Sequence, residues 1–314
     1  MVLVLGHDDI VGLLDRDEVR RAVEQALADL ATGDAVNPAP VAMPVQGNGT
    51  VLPMAAAHGD LAIVKVLSDL PANRSAGLPV QRSTMVVTST KTGEAVAVLD
   101  GRAITKVRTA ATSAVATDHL ARRDAVTLGL VGAGNLAVEH TFAIAAVRPL
   151  ERVVVWSRSE STVEKYRAAT QSLGLIVEVA PTIEYAVKAA DVLCTLTPSR
   201  DPLVQGAWFE PGLHVNAVGA PPRPDHREID GEGMARSRVV VDSRATSLAK
   251  SGDLLLAVAE GRIDSGAADL ELGAVIAGSV VGRRSDRDIT LFDSVGLGLQ
   301  DLAAATLVLR AMSA

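Results

Sequence analysis

The sequence predicts an α/β protein that combines a parallel sheet with a second domain of α+β type. Three observations support this fold class. An apolar run rich in β-branched residues ends in Gly132-Ala133-Gly134 and is followed by a helical pattern. Apolar runs and helical patterns then alternate as far as Val241, which is typical of βαβ units. Before residue 100, short β-rich runs are instead separated by turn sequences.

The stretch Val126–Ala137 has the strand, turn and helix pattern of a dinucleotide-binding unit, in the form G-x-G-x-x-A. Gly132 allows the tight turn, Gly134 lets a pyrophosphate approach the backbone, and Ala137 permits close packing of the helix on the strand. Free N–H groups and the helix dipole favour an anion at the start of the helix. The sequence therefore predicts a Rossmann-type domain.

The residues after the next apolar run bear on the choice of cofactor. Arg152–Trp156 predicts the second strand, and NAD sites usually place an acidic residue at its end for the ribose 2′-hydroxyl. Here Ser157-Arg158-Ser159 follows instead, and a guanidinium flanked by hydroxyls suits a 2′-phosphate. We therefore favour NADP(H), with NAD(H) as the alternative, in which case Arg158 is an ordinary exposed charge.

The other elements follow from the same kinds of pattern. A helix with a capping-box start at Asp15 ends at Gly33, a β-rich region covers Val36–Leu99, and small residues form a helix over Ile104–Ala116. Further along, the alternation predicts helices Ser161–Leu173 and Thr182–Ala189, strands Leu175–Val179, Val192–Leu196, Leu213–Val218 and Arg238–Val241, a short strand and turn within Asp288–Gly296, and a closing helix Leu299–Met312. The predicted domains are residues 1–115 with 290–314, and residues 116–289.

Two cationic residues stand out as candidates for binding a carboxylate. Lys65 lies inside the apolar run Leu61–Leu67, on the same face as Ile63. An unpaired buried ammonium is unfavourable, so Lys65 must reach solvent from an edge strand or be buried with a partner. Arg108 lies on the small-residue helix, where it would form a carboxylate-binding fork or be an ordinary exposed helix charge.

Composition narrows the class of protein. Apolar residues make up 48% of the 314 residues and charged residues 21%, which indicates a globular chain. The net charge of −7 argues against a nucleic-acid or anionic-membrane partner. The single cysteine, Cys194, lies in an apolar run and is interpreted as a buried hydrophobe. No metal site, signal peptide or transmembrane segment is predicted, so we expect a cytoplasmic protein.

Several segments together resemble the ornithine cyclodeaminase/mu-crystallin family, and they follow the family's order over most of the chain. They are Lys65 in its strand, Asp100-Gly101, Thr105-x-x-Arg108-Thr109-Ala110-Ala111, Gly132-Ala133-Gly134, Pro211-Gly212-x-His214-x-Asn216-Ala217-Val218-Gly219, Ser251-Gly252-Asp253 and Phe292-Asp293-Ser294-Val295-Gly296. The resemblance implies a homodimer whose dimerisation and substrate domain is formed by the N-terminal segment and the C-terminal helix. It also implies hydride transfer between a nicotinamide and a carbon that bears nitrogen beside a carboxylate.

By this resemblance, Lys65 and Arg108 would hold the substrate carboxylate. The cofactor would contact Thr112 and the fingerprint residues along its pyrophosphate, the loop after the second strand at its 2′-phosphate, and four residues at its nicotinamide end. These cofactor residues are Thr112, Gly132, Ala133, Gly134, Asn135, Leu136, Ser157, Arg158, Ser159, Thr195, Val218, Ser294 and Val295.

The substrate side departs from the cyclodeaminases of that family. The aspartate that the family's cyclodeaminases and alanine dehydrogenases have after Val-Gly-Gly or Ile-Gly-Ala is absent at that point. Gly219-Ala220 is followed by Pro221, and Asp225 comes several residues later. The family's arginine near residues 37–41 is absent, and the glutamate expected near Leu52 is replaced by an apolar residue. Asp225, Lys65 or water could supply the proton to the substrate nitrogen.

These observations favour an NAD(P)H-dependent oxidoreductase that reduces an imine (ketimine) carboxylate to an amino acid, or catalyses the reverse. The expected partners are a small amino-acid or imine-carboxylate substrate and a second copy of the chain. One alternative is ornithine cyclodeaminase, a lyase with bound NAD. The other is a cofactor-binding homologue with reduced catalytic function.

Overall fold

The computed structural model describes residues 2–221 and 223–313. The chain divides into two compact units. The first holds the chain up to Thr109 together with the chain from Gly296 onward, and the second is Ala110–Val295. Among the described residues, no helix is both long and apolar enough to cross a lipid bilayer.

The helices, in chain order, are α1 His7–Val11, α2 Arg16–Thr32, α3 Gly101–Leu120, α4 Asn135–Ala145, α5 Glu160–Thr170, α6 Ile183–Lys188, α7 Gly231–Arg236, α8 Arg244–Lys250, α9 Gly252–Ala259, α10 Leu272–Ile276 and α11 Gly298–Ser313. The strands are β1 Leu3–Leu5, β2 Ala35–Val36, β3 Met43–Val45, β4 Gly49–His58, β5 Leu61–Asp69, β6 Gln81–Ser89, β7 Ala95–Asp100, β8 Thr127–Val131, β9 Arg152–Trp156, β10 Ile176–Val179, β11 Val192–Thr195, β12 His214–Ala217, β13 Arg238–Val241 and β14 Thr290–Asp293. Short 3-10 segments lie at Pro71–Ala76, Gln171–Leu173, Gly206–Trp208 and Ser265–Ala268.

The first unit contains a mostly antiparallel sheet in the order β1-β7-β6-β5-β4-β2, with β3 also paired to β4 and β1 parallel to β7. The predicted β-rich region and the predicted first helix are confirmed. Asp15 caps α2 by accepting a hydrogen bond from the Glu18 N–H, and Gly33 ends it with a left-handed φ of 88°. β5 is a central strand, since it pairs with both β4 and β6.

The two faces of this sheet differ in burial. Ile63, Lys65 and their neighbours on one face are buried. On the other face, Val4 pairs in register with Val98, Val98 with Val86, and Val86 with Val64. Val4, Val86 and Val64 are exposed. The first unit therefore carries a row of apolar side chains on its uncovered sheet face.

The second unit contains an entirely parallel sheet in the order β10-β9-β8-β11-β12-β14-β13, so the predicted parallel sheet with βαβ alternation is confirmed. The inner strands are buried along their whole length, because helices follow on both faces of such sheets. β14, the strand at the start of the predicted C-terminal segment 290–314, pairs within this sheet between β12 and β13.

Cys194 lies in β11 and is buried, as the sequence predicts. Burial raises the pKa of its thiol to about 12, so the reactive thiolate is scarce at neutral pH. This cysteine is therefore a small hydrophobic residue of the core.

Candidate active site

Lys65 lies in the middle of β5, opposite Met54 on β4 and Met85 on β6. Its side chain is 1% exposed. Because β5 is paired with a strand on each side, a lysine in its middle cannot reach water from a sheet edge and needs a buried partner. The interpretation of Lys65 as a solvent-reaching edge residue is therefore wrong.

Two helices supply the partners of Lys65. Its ammonium donates to Thr105 Oγ1 on α3 at 2.8 Å and to both carboxylate oxygens of Asp301 on α11 at 3.0 and 3.1 Å. Arg108 lies three residues beyond Thr105, one turn further along the same face of α3. Its Nε donates to Asp301 Oδ1 at 2.9 Å. Lys65 and Arg108 are thus brought together by a shared carboxylate.

The electrostatics of this group are those of a buried cation. Asp301 is fully buried, and one carboxylate faces two cations, which leaves a formal charge of +1. Burial lowers the pKa of Lys65 from 10.5 to about 8, with Asp301 opposing the shift and Arg108 adding to it. We call Lys65, Thr105, Arg108, Gln300 and Asp301 the cation cluster.

The start of α11 holds the cation cluster in place. Arg108 Nη1 donates to Gln300 Oε1 at 2.7 Å, and the Leu297 N–H donates to the same oxygen at 3.3 Å. A side chain at Gly296 would place its Cβ 2.9 Å from Arg108 Nη1, and the φ of Gly296 is +76°. Asn37 Oδ1 accepts the Leu299 N–H at 3.0 Å, so the segment without the expected arginine caps this helix instead.

The fingerprint of the second unit has the geometry of a dinucleotide site. Gly132 adopts a φ of +113°, and an added Cβ would lie 3.0 Å from the Leu196 carbonyl oxygen. A Cβ on Gly134 would meet nothing within 4 Å. Gly134 is the N-cap of the 11-residue helix α4, and no side chain caps that end. The first N–H groups of α4, at Asn135 and Leu136, are therefore suited to a pyrophosphate.

The loop after β9 carries the predicted 2′-phosphate residues. Ser159 caps α5, its Oγ accepting the Thr162 N–H at 3.4 Å, and its own N–H donates to Ser157 Oγ at 3.3 Å. Arg158 is exposed, and no ion pair joins it to another residue in the described ranges. The loop thus presents one guanidinium beside two hydroxyls at the carboxyl end of its strand.

The remaining cofactor candidates follow neighbouring strands. Thr195 ends β11 and is buried, Val218 follows β12, and Ser294 and Val295 follow β14. Because β8, β11, β12 and β14 are adjacent and parallel, these positions share one edge of the sheet with the fingerprint turn. Thr112 is buried in α3.

A buried glutamate, which sequence reasoning missed, fixes two of these loops. Glu228 accepts the Thr197 N–H at 2.7 Å through Oε1 and the Gly219 N–H at 2.8 Å through Oε2. Asp253 Oδ1 in turn accepts the Glu228 N–H at 2.9 Å. Burial raises the pKa of Glu228 to about 7 and that of Asp253 to about 6. The loops after β11 and β12 are therefore tied together by one carboxylate.

Asp225, the third predicted catalytic residue, lies apart from this arrangement. It is 52% exposed, and it pairs with Arg200 Nη2 at 3.0 Å and with His226 Nδ1 at 3.0 Å. Burial raises the pKa of Asp225, but His226 and Arg200 together outweigh it and hold that pKa below the usual value for an aspartate. Its surroundings favour a permanently ionised surface carboxylate. No cluster of three or more potential metal ligands forms among residues 2–221 and 223–313.

The family model for the ornithine cyclodeaminase/mu-crystallin family matches residues 2–314. The chain belongs to this family. The predicted family is therefore confirmed over essentially the whole sequence. The sheet order and the fingerprint geometry described above agree with the Rossmann fold that the resemblance implies.

Characterised relatives include three kinds of enzyme. Alanine dehydrogenase of Archaeoglobus fulgidus is 34% identical over 98% of this chain and 94% of its own. Delta(1)-pyrroline-2-carboxylate reductase of Bacillus cereus is 32% identical over 97% and 94%. Ketimine reductase mu-crystallin of Mus musculus is 34% identical over 91% and 89%. At the level of enzyme class, the prediction of an oxidoreductase acting on C=N or CH–NH groups is confirmed.

Solved structures give the same result. Thermococcus litoralis Delta(1)-pyrroline-2-carboxylate reductase, in complex with NADH and L-proline, superposes with a TM-score of 0.94 at 34% identity, covering 99% of this chain and 98% of that one. An archaeal alanine dehydrogenase dimer with bound NAD gives 0.94 at 34% identity, covering 99% and 96%. The iminosuccinate reductase of Paracoccus denitrificans with NAD+ gives 0.90 at 29% identity, covering 99% and 96%.

Proposed function

We propose that this protein is an NADPH-dependent reductase of a small imine carboxylate, forming the corresponding amino acid. The observation that carries the proposal is the cation cluster, in which Lys65 and Arg108 share the single carboxylate of Asp301. A buried site with a charge of +1 favours one anionic ligand. The carboxylate of the substrate supplies that charge, and Arg108 offers it a planar fork.

The second unit supports the cofactor part of the proposal. The uncapped start of α4 and the open space at Gly134 fit a pyrophosphate, as the fingerprint requires. NAD(H) binds to the relatives in the solved structures, so the coarser assignment to nicotinamide dinucleotides has wider support. Our preference for NADPH depends on Arg158 between Ser157 and Ser159, where a guanidinium and two hydroxyls can bind a 2′-phosphate.

The chemistry divides between the cofactor and this chain's own residues. Bound reduced nicotinamide supplies the hydride for the imine carbon. Lys65 and Arg108 orient the carboxylate and withdraw charge from the adjacent carbon, which favours attack on a protonated imine. Lys65, whose pKa is about 8, is also the most suitable group here to deliver the nitrogen proton near neutral pH. Asp225 suits this role less well, since it is exposed and ion-paired.

The same residues bear on the two alternatives. A cyclodeaminase needs an anionic group for the substrate's second amine, and Leu52, where the resemblance places that glutamate, is a buried apolar residue. A homologue that only binds cofactor would not need Lys65 and Arg108, and burying two cations destabilises a fold unless they serve a function. Both observations favour the reductase.

We also propose that the protein forms a homodimer through the exposed face of the first sheet. The row of Val4, Val98, Val86 and Val64 spans four neighbouring strands, and Val66 extends it along β5. An apolar face of this kind marks an association surface. The archaeal alanine dehydrogenase structure, a dimer, supports this assignment. The cytoplasmic location stays a prediction of the sequence.

The test is cofactor oxidation with a panel of imine carboxylates. Thermal shift first ranks NADPH against NADH, and the panel then includes Δ1-pyrroline-2-carboxylate and pyruvate with ammonia. We expect stoichiometric oxidation of NADPH and formation of the amino acid. Ammonia release from ornithine without net oxidation would instead assign a cyclodeaminase. Cofactor binding with no turnover on any substrate would assign a homologue that only binds cofactor.

A further inference from the structure

Gln300 is fixed in one orientation within the cation cluster. Its Oε1 accepts hydrogen bonds from Arg108 Nη1 at 2.7 Å and from the Leu297 N–H at 3.3 Å. Exchanging the oxygen and nitrogen would set the amide N–H groups against two donors. The hydrogen-bond network therefore shows that the atom facing Arg108 and Leu297 is the amide oxygen and that Nε2 lies on the other side.

The Nε2 group of Gln300 has no hydrogen-bond partner among the described residues, although the residue is 0% exposed. An unsatisfied buried donor is destabilising, because it has lost its hydrogen bonds to water, and native proteins rarely retain one. Here the donor belongs to the same cluster as Lys65 and Arg108, the two cations proposed to bind an anion. A ligand oxygen that accepts a hydrogen bond from Nε2 would satisfy this donor.

We propose that the Gln300 amide donates to a carboxylate oxygen of the substrate, beside Arg108. From amide bond lengths, Nε2 lies no more than about 5 Å from Arg108 Nη1, a separation that the two oxygens of one carboxylate can bridge. This inference rests on the proposed function and names a further residue that determines specificity.

The neutrality of this side chain is part of its role. A glutamate at position 300 would accept the same two hydrogen bonds, but it would bring the formal charge of the cluster from +1 to zero. With Gln300, the cluster keeps its formal charge of +1, which one negative charge of a ligand neutralises, so the cluster selects a monocarboxylate. Gln300 therefore adds both a donor and the charge balance that makes the cluster an anion site.

The experiment measures binding of pyrrole-2-carboxylate, a stable planar carboxylate, to the full chain saturated with NADPH by calorimetry. Gln300→Glu keeps the oxygen that Arg108 and Leu297 use, so the fold is retained. Gln300→Met removes the donor without adding charge. Gln25→Glu makes the same exchange at a surface glutamine that pairs with Asp29. NADPH affinity is measured in each variant.

We expect the dissociation constant of the probe to rise about tenfold in Gln300→Met and further in Gln300→Glu, with Gln25→Glu and NADPH affinity unchanged. Weakening in Gln300→Glu alone would show that only charge matters and would overturn the donor role. Equal binding in all variants, or no binding to the wild type, would overturn the inference outright. Wild-type binding with the expected losses, but no imine turnover, would support Gln300 and contradict the proposed function.

Discussion

Replacing Asp301 with asparagine removes the carboxylate with which both Lys65 and Arg108 pair. The side chain keeps its size, and its Oδ1 can still accept from Arg108 Nε. Its new amide, however, faces the Lys65 ammonium, which now lies 3.1 Å from the Oδ2 position. The summed formal charge at these three buried positions rises from +1 to +2.

The structure gives the size of the expected effect. Removing one partner of a buried ion pair costs about 3–5 kcal/mol, because the remaining charge is left without compensation. Asp301 is the residue that raises the pKa of Lys65 against burial, so its loss lowers that pKa below about 8. In the variant, the unfolded chain therefore binds more protons than the folded chain over a wider pH range than in the wild type. The free energy of unfolding rises with pH throughout that range. We expect the deficit relative to wild type to shrink between pH 7 and pH 9.

Scanning calorimetry of both proteins at pH 7 and pH 9 tests this reasoning. We expect Asp301→Asn to lower the Tm by about 5–10 °C at pH 7, and by less at pH 9. Asp60→Asn is the control, since Asp60 pairs with Lys91 on the surface and should shift the Tm by no more than about 2 °C. A Tm for Asp301→Asn as close to wild type as that of the control would refute the account of the cluster.

Three further predictions concern the cofactor, assembly and pH. Arg158→Ser should weaken NADPH binding about tenfold relative to NADH, whereas Arg167→Ser on the following helix should not. If the wild type and Arg158→Ser bind NADPH with equal affinity in titration, the basis for preferring NADPH is removed. Light scattering should show a dimer at micromolar concentration, and Val64→Lys, placed on the exposed sheet face, should shift it to monomer; a monomeric wild type would contradict that interface. The kcat/KM for reduction should fall as pH rises through about 8, where the Lys65 ammonium loses its proton. A kcat/KM that stays constant well above that pH would exclude Lys65 as the proton donor.

The sequence contains clear signals for the fold and for the two cations of the cluster, Lys65 and Arg108. In the second unit the helical periodicity is regular, and the strands of its parallel sheet are buried on both faces. Such strands appear in the sequence as continuous apolar runs, which predict them directly. Lys65 is visible because a lysine in an apolar run conflicts with burial. Its role at a substrate stays a prediction.

The partners of these cations could not be predicted in the same way. Asp301 is 236 residues from Lys65, so only the tertiary fold brings them together. A weak signal existed, since Gln300 and Asp301 interrupt an apolar helix between Leu299 and Leu302, where two buried polar residues need partners. Glu228 left no comparable signal, because it lies in an irregular segment and its partners, two backbone N–H groups and the Thr197 hydroxyl, lie in distant loops.

The most direct test of the central claim is the kcat/KM of Lys65→Met on the best imine carboxylate of the panel. Methionine keeps the apolar stem and removes the charge, while Asp301 keeps Arg108 as its partner. We predict a loss of about a hundredfold or more, near 2.7 kcal/mol of transition-state stabilisation, with NADPH affinity unchanged and with Lys91→Met as the unaffected control. Turnover near the wild-type value in Lys65→Met would contradict the assignment of the cation cluster to the substrate carboxylate.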